Sequence, residues 1–213
     1  RRTTLFKYPH DDPNDLAYSR MIMQNQLNPI IEQKVYLDDR LLKTQENRFW
    51  FWFDNQVMKV NLNRVNIGFG NASPEEKITF SKYDSYGNVL QYRQSAENLN
   101  TVLFRGYPDR RVVAKIVTDA DYDQVGAIAG YYLSQLDDNL DRTQLRNLNA
   151  TIRNVLPTAF VTTYTYDPIF GMTSETDPNG TTTSYEYDGF GRLVVIKDNE
   201  DNIVKEIEYN YRY

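Results

Sequence analysis

Residues 184–193 read Ser-Tyr-Glu-Tyr-Asp-Gly-Phe-Gly-Arg-Leu, and two earlier stretches share this order of a tyrosine-aspartate pair followed by a glycine. They are residues 82–88, Lys-Tyr-Asp-Ser-Tyr-Gly-Asn, and residues 163–172, Thr-Tyr-Thr-Tyr-Asp-Pro-Ile-Phe-Gly-Met. Tyr187 follows Tyr166 by 21 residues and Tyr209 follows Tyr187 by 22, the length of one β-hairpin with its two turns. Because a single hairpin buries too little surface to be stable alone, the repetition predicts hairpins that stack on one another.

The strands of these hairpins have a recognisable composition. Tyrosines two positions apart, such as Tyr185 and Tyr187, project from the same face of a strand, so that neighbouring repeats would align them in a ladder. Short β-branched runs at 193–196 and 203–204 are typical of strands.

Turn residues separate the strands. An aspartate followed three residues later by glycine, as in Asp188 and Gly191, favours a type I turn, because the carboxylate bonds to nearby backbone and the glycine accepts a positive φ. The sequence therefore predicts at least three consecutive antiparallel strands, and no helix, within residues 158–213. The predicted turns are 167–171, 177–180, 188–191 and 198–202.

The pattern resembles the YD repeat of the Rhs family. The residues that carry the resemblance are Tyr83, Asp84, Gly87, Tyr164, Tyr166, Asp167, Gly171, Asp177, Pro178, Gly180, Tyr185, Tyr187, Asp188, Gly191 and Arg192. The match is close over 158–213, looser over 77–117, where no arginine follows the glycine, and weak over 1–76. The resemblance implies a mainly β fold, an antiparallel sheet of stacked YD-repeat hairpins that is curved and shell-like or open.

The resemblance also implies a function. In this family the repeats wind into a hollow shell, which in several members encloses a toxic or variable C-terminal segment and is closed by a self-cleaving, aspartate-rich motif after the last repeat. No such motif follows the repeats in this sequence up to Tyr213. The implied role is a non-enzymatic structural scaffold, in a protein located outside a Gram-negative bacterium or on its surface.

Four segments can be distinguished along the chain. They are a β-strand region at 1–76, a first YD-type repeat at 77–118, a helical insertion at 119–157 and tandem YD repeats at 158–213. Because the first residue is Arg1 rather than methionine, we expect one continuous domain cut from a longer protein, with any export signal upstream. The rest of that polypeptide is then the first expected partner.

The insertion has helical periodicity, which predicts one helix at 121–136 and a second at 142–155. Together they form a short two-helix insertion of about residues 120–156. In the second helix, Leu145, Leu148, Ile152 and Val155 form one apolar stripe, and Pro157 ends the helix. The polar residues that lie off that stripe are Arg146, Asn147, Asn149 and Arg153. Such helices would cover apolar side chains that the sheet leaves open, or else dock a partner.

Composition excludes several classes of function. The chain of 213 residues has no cysteine and therefore no disulfide, and its net charge of −5 argues against a nucleic-acid partner. Its longest apolar stretch near a helix, Val125–Leu133, is too short to cross a bilayer, so membrane insertion is not expected. No motif indicates a cofactor.

Metal binding is not predicted either. Asp119, Asp121 and Asp123 alternate like the first ligands of a calcium loop, but Gln124 and Gly130 occupy the positions that require glycine and glutamate. These aspartates are better interpreted as the cap of the following helix.

Catalysis finds no support in the sequence. His10 is the single histidine, it lies among prolines and aspartates typical of a loop, and there is no cysteine nucleophile or phosphate-binding glycine loop.

Aromatic residues provide an alternative function. In the strand Phe49–Phe53, Trp50 and Trp52 would share one face, and with Tyr185 and Tyr187 they could stack on sugar rings of a glycan or contact a cell-surface protein. The opposing interpretation is a strand buried on both sides, or a joint with an upstream domain. We also expect the terminal run 207–213, with its alternating apolar residues, to be an exposed strand edge through which chains self-associate.

Overall fold

The computed structural model describes residues 1–54, 57–107, 111–136 and 140–210. Within these residues the chain has thirteen β-strands and three α-helices, and every strand pairing is antiparallel. The predicted mainly β fold class is therefore confirmed. Two compact units divide the chain, Arg1–Asn98 and Leu99–Tyr213. The four-segment division made from the sequence stays a prediction.

The first unit contains six strands and one helix. Their bounds are β1 Arg2–Lys7, α1 Leu16–Met23, β2 Glu32–Leu37, β3 Arg40–Asp54, β4 Val57–Phe69, β5 Glu75–Tyr83 and β6 Val89–Gln94, with a single 3₁₀ turn at Pro9–Asp11. The strands pair in chain order. Helix α1 packs on β3 and β4, where Ala17, Tyr18 and Met21 meet Val60 in a small core.

The second unit contains seven strands and two helices. Their bounds are β7 Asn100–Gly106, β8 Arg111–Thr118, α2 Tyr122–Leu133, α3 Arg142–Val155, β9 Phe160–Asp167, β10 Gly171–Thr176, β11 Thr182–Tyr187, β12 Leu193–Lys197 and β13 Ile203–Glu206. These strands also pair in chain order. The prediction of consecutive antiparallel strands after residue 158 is confirmed, with five of them.

The two predicted helices of the insertion are present. Helix α3 has the predicted bounds, whereas α2 ends at Leu133, three residues before the expected end. Leu145 and Ile152 are buried against residues of β7, β8 and β9, and Leu148 and Val155 pack partly buried against the same core. The helices therefore cover one face of the sheet, as expected.

One polar residue of α3 is buried. Asn149 lies off the apolar stripe of the helix and is only 3% exposed. Its side chain amide donates to the Thr176 hydroxyl at 3.0 Å and accepts from the Thr163 hydroxyl at 2.6 Å. Because the covered face of β9 and β10 carries threonines here, a polar residue on the helix is the partner that this face requires.

The hairpin loops close with one recurring hydrogen-bond arrangement. Four loops have it, and they begin at Asp84, Asp177, Asp188 and Asp198. In each of these loops the aspartate carboxylate accepts hydrogen bonds from the backbone N–H groups two and four residues later, at 2.9–3.0 Å. The residue three positions after the aspartate has a positive φ, namely Gly87, Gly180, Gly191 and Asp201. A fifth aspartate loop begins at Asp167, whose carboxylate accepts from the N–H groups two and three residues later. The four turns predicted within residues 158–213 are thus confirmed.

The end of the chain differs from its prediction. Strand β13 ends at Glu206, and residues 207–210 form no strand, so the expected terminal strand over 207–213 is wrong for these four residues. Its last three residues lie outside the described part of the chain. The backbone of Ile207 still donates to Val194, and the Tyr209 hydroxyl donates to Leu193, so the segment follows β12 by isolated bonds rather than by a ladder. Self-association through this edge stays a prediction.

The buried stripe of α3 can be tested with a charge. Replacing Ile152, which is fully buried, by aspartate places an unpaired carboxylate in the core and should lower the free energy of unfolding by about 3 kcal/mol or more. Urea denaturation measures the change. Asn147→Asp, on the exposed side of the same helix, adds the same charge and should change stability by less than about 0.5 kcal/mol. Equal effects of the two substitutions would show that the stripe is not core.

Two glycines in one hairpin loop provide a second test. Gly191 has φ +76° and a side chain there would come within 3.1 Å of Phe170, whereas Gly189 has open space around it and no positive φ. Gly191→Ala should therefore lower the free energy of unfolding by about 1–2 kcal/mol, while Gly189→Ala should be neutral or slightly stabilising. Thermal unfolding of the two variants checks this, and a loss confined to Gly189→Ala would contradict the assigned loop geometry.

Candidate functional site

The repeat tyrosines form hydrogen bonds that the sequence did not predict. The hydroxyl of the tyrosine in each repeat donates to a backbone carbonyl of the preceding strand. These bonds, which we call the tyrosine stitches, are Tyr83 to Leu62, Tyr166 to Val112 at 2.9 Å, Tyr187 to Met172 at 2.7 Å and Tyr209 to Leu193 at 3.1 Å. Each stitch joins a strand, or the segment after it, to its predecessor in the sheet.

Two of the tyrosine stitches, those of Tyr83 and Tyr166, have hydroxyls whose pKa is raised. Burial raises the pKa of Tyr83 and of Tyr166 above the usual value for tyrosine. Tyr164 and Tyr185 also have raised pKa values, first because of burial and then because of the nearby carboxylate of Glu175. A hydroxyl that titrates only above pH 10 donates its hydrogen bond throughout the physiological range.

Arg192 links a hairpin loop to the next tyrosine. Its guanidinium donates to the Asp188 carboxylate, with Nε at 2.8 Å and a second nitrogen at 2.6 Å, and lowers the pKa of that carboxyl. The same guanidinium lies 4.6 Å from the centroid of the Tyr209 ring. A cation over an aromatic face is attractive, so the Asp-to-Arg part of the repeat also holds the tyrosine that follows.

The four aromatic residues proposed for glycan stacking are in different environments. Trp50 is 58% exposed, but the Trp52 ring packs edge-on against Tyr83, with ring centroids 5.2 Å apart. Tyr187 stacks on Phe170, at 6.3 Å, in addition to its stitch, and Tyr185 is half-buried. Of the four, Trp50 alone has a mostly open ring. Their glycan-binding role stays a prediction.

The surroundings of Trp50 are polar. Phe49 and Phe51 pack against the core under α1, which shows why a strand with five consecutive aromatic residues is stable here. A groove of about 600 Å³ includes Trp50 in its lining, together with Arg48, Arg64, Asn63, Asn66, Asp15, Tyr18 and Phe49. The side-chain oxygen of Asn66 is buried and has no hydrogen-bond partner among the described residues.

The acidic cluster caps a helix, as the sequence indicated. The Asp121 carboxylate accepts from the Gln124 backbone at 2.9 Å, and the Gln124 side chain accepts from the Asp121 backbone at 2.8 Å. This reciprocal capping box explains why glutamine stands at the position where a calcium loop needs glycine. Within the described residues, no three potential metal ligands are grouped closely enough to hold an ion.

His10 is placed in the 3₁₀ turn of the first unit. Its ring stacks on Tyr8 with centroids 5.8 Å apart, and its Nε2 lies 3.7 Å from the Asp11 carboxylate. This is a stacked surface contact, and no nucleophile of the described part of the chain is bonded to His10.

Across the described ranges, none of the helices is both long and apolar enough to span a bilayer.

Comparison with known proteins supports the repeat assignment. A family model described as RHS Repeat matches residues 171–203, and no curated protein sequence matches the chain. The crystal structure of TcdB2-TccC3-TEV has a TM-score of 0.45 at 13% identity, and the match covers 98% of this chain and 11% of that chain. The crystal structure of TcdB2-TccC3-Cdc42 has a TM-score of 0.42 at 12% identity, with 89% of this chain and 10% of that chain covered.

A third similar structure is a Photorhabdus luminescens Tc holotoxin pore with a mutation in TccC3. Its TM-score is 0.43 at 13% identity, and the match covers 91% of this chain and 10% of that one. The chain thus spans about a tenth of the length of these solved proteins. The predicted resemblance to the YD repeats of the Rhs family is confirmed over residues 171–203, which match the RHS Repeat model.

Proposed function

We propose that this chain is a non-enzymatic structural scaffold, a portion of the wall of an Rhs-like shell in a secreted or cell-surface bacterial protein. One observation carries the proposal: the residues that define the repeat are engaged in bonds within the repeat array. Tyr187 bonds to Met172, Asp188 closes its own loop, and Gly191 supplies the positive φ of that loop. Side chains used in this way build a sheet rather than act on a substrate.

Each repeat contributes two elements to this scaffold. In each aspartate loop the carboxylate bonds to N–H groups of the same loop, so the turn is specified by residues close together in the sequence. The tyrosine stitch then bonds to the strand before it and fixes the new hairpin in register. An array built in this way extends by addition of equivalent hairpins, each of which depends mainly on its neighbours.

The expected partner is the rest of a longer polypeptide. Strand β13 carries exposed Ile203 and Val204, and β12 is its one partner strand among the described residues. An exposed, apolar edge strand is a template for a further strand. A following repeat of the same polypeptide would cover it with the loop and stitch geometry already present.

The contribution of a stitch can be measured by removing one hydroxyl. Tyr187→Phe keeps the ring and its stacking on Phe170 but leaves the Met172 carbonyl without its side-chain donor, and should lower the free energy of unfolding by about 1 kcal/mol. Denaturant titration measures the difference. Tyr131→Phe is the control, because this tyrosine is 73% exposed on α2 and its hydroxyl has no bond within the described residues. Equal stability of both variants and the parent would remove the stitch as a scaffold interaction.

A surface-binding module is the second candidate function, and the exposure of Trp50 favours it. An open indole beside arginine and asparagine side chains is a suitable platform for the apolar face of a sugar, while the polar side chains bond to hydroxyls. The groove lies in the first unit, where the resemblance to the repeats is weak, so such binding would be additional to the scaffold.

Trp50→Ala tests this binding function directly. If the groove binds a glycan, titration against an oligosaccharide panel should show at least one ligand that the parent chain binds, with affinity reduced about tenfold or more in the variant. Phe53→Ala is the matched control, since Phe53 is also an exposed aromatic residue of β3, at 75%. It lies an odd number of residues after Trp50, and because side chains alternate along a strand it faces the other side of the sheet. No glycan binding by the parent, or equal losses in the two variants, would leave the scaffold as the one proposed function.

A further inference from the structure

A polar cleft lies beside α3 in the second unit. It has a volume of about 470 Å³ and is bounded by the helix and by the loops that follow β10 and β12. Arg146 and Arg153 project from the helix side, and Asn179 and Asn199 come from the two loops. None of the described side chains that line the cleft is a carboxylate or an aromatic ring. The cleft therefore surrounds two positive charges with amide and hydroxyl groups.

Arg153 is a cation held by neutral acceptors. Its guanidinium donates to the backbone carbonyls of Asn149 at 3.1 Å, of Val161 at 3.0 Å and of Asp177. Its Nε is buried and has no partner among the described residues, and burial lowers the pKa of the group. A partly buried charge without an ion pair is electrostatically unfavourable, so an anion nearby would stabilise it.

The nearest carboxylate is already engaged. Asp177 is close to Arg153, which donates to its backbone carbonyl, but the Asp177 carboxylate accepts from the backbone N–H groups of Asn179 and Thr181, each at 2.9 Å. It closes the hairpin loop and makes no ion pair with either arginine of the cleft in the described structure. The positive charge of the cleft is thus only partly balanced by the protein.

Arg146 is available to a ligand. It lies exposed at the cleft and donates one bond, to the Asn199 carbonyl, which orients the side chain along the opening. A guanidinium carries five N–H donors in a planar fork, and most of those of Arg146 are unused among the described residues. This geometry matches the two oxygens of a carboxylate or phosphate.

The floor of the cleft is rigid and polar. Asn149 is fixed between the hydroxyls of Thr163 and Thr176, and Thr176 is bonded to Thr182 at 2.9 Å. These side chains are at most 3% exposed and form a fixed base for the cleft. The amide side chains of Asn154, Asn179 and Asn199 also line it, beside Ala150 and Gly180, and amides suit a hydroxyl-rich ligand because they both donate and accept hydrogen bonds.

We infer that this cleft binds a monosaccharide-sized anion, whose carboxylate or phosphate is held by Arg146 and whose hydroxyls meet the amide side chains of Asn154, Asn179 and Asn199. The volume lies within the range of small-ligand sites. The site is built from α3 and the loop tips, so it is separate from both the tyrosine stitches and Trp50. It would add ligand recognition to a scaffold protein.

Calorimetric titration of the 213-residue chain with glucuronate, glucose 6-phosphate and neutral glucose tests the inference. We expect saturable binding of at least one of the two anions, with a dissociation constant on the order of 1 mM or tighter, and weaker binding of glucose. Binding of glucuronate alone identifies a carboxylate site, and binding of the sugar phosphate alone identifies a phosphate site. Equal binding of glucose, or no saturable binding of either anion, would overturn the inference.

Two variants then locate the ligand. Arg146→Gln should reduce the affinity about tenfold or more, because it removes a charge-assisted contact. Asn154→Asp should do the same by adding a negative charge to the lining, and it breaks none of the described hydrogen bonds. Arg93→Gln is the control, since it removes the same charge from the exposed end of β6, outside the cleft. Unchanged affinity in both cleft variants, or an equal loss in the control, would show that the anion binds elsewhere.

Discussion

The hydrogen bond from a repeat tyrosine to the carbonyl of the preceding strand is the interaction on which the repeat array depends. Side chains alternate between the faces of a sheet, so a slip of one residue would turn Tyr166 or Tyr187 to the opposite face and break its bond. A single bond of this kind contributes only about 1 kcal/mol. Its main effect is to fix the register of the strands, because the equivalent bond recurs in each repeat and forms only when the strands pair in the correct register.

The insertion between β8 and β9 shows how strong this constraint is. Helices α2 and α3 lie between β8 and β9 along the chain, yet these two strands are neighbours in the sheet, with Ala114 opposite Thr163. The stitch from Tyr166 to Val112 spans the insertion and restores the same contact that Tyr187 makes over a short hairpin. The helices are therefore accommodated without a change in the repeat, and their apolar stripe covers the face of the sheet that the tyrosines do not occupy.

The features that could be predicted from the sequence are those determined by residues close together along the chain. The aspartate loops and the bounds of α3 follow from spacing within a few residues, and both were predicted correctly. Helix α1 was missed, although Asp15 caps it with its side chain, because the neighbouring alternation of apolar residues favoured strands. Two further features depend on distant partners: the burial of Asn149 requires Thr163 and Thr176, and the stitches require the register of paired strands. The positive φ of Asp201, where other loops have glycine, is tolerated because aspartate adopts this conformation more readily than most residues.

Residues of the repeat pattern and residues outside it differ in how far their side chains are engaged within the protein. Several residues of the repeat pattern are engaged inside the array, since the Tyr187 hydroxyl bonds to Met172 and the Asp188 carboxylate closes its own loop. Residues outside the repeat pattern are under no such constraint, and these include the exposed ring of Trp50 and the guanidinium of Arg146. Trp50 stands on a strand of the first unit and Arg146 on the inserted helix α3, both positioned by the sheets but not required to build them. The two ligand sites that we propose therefore use residues that do not belong to the repeat pattern.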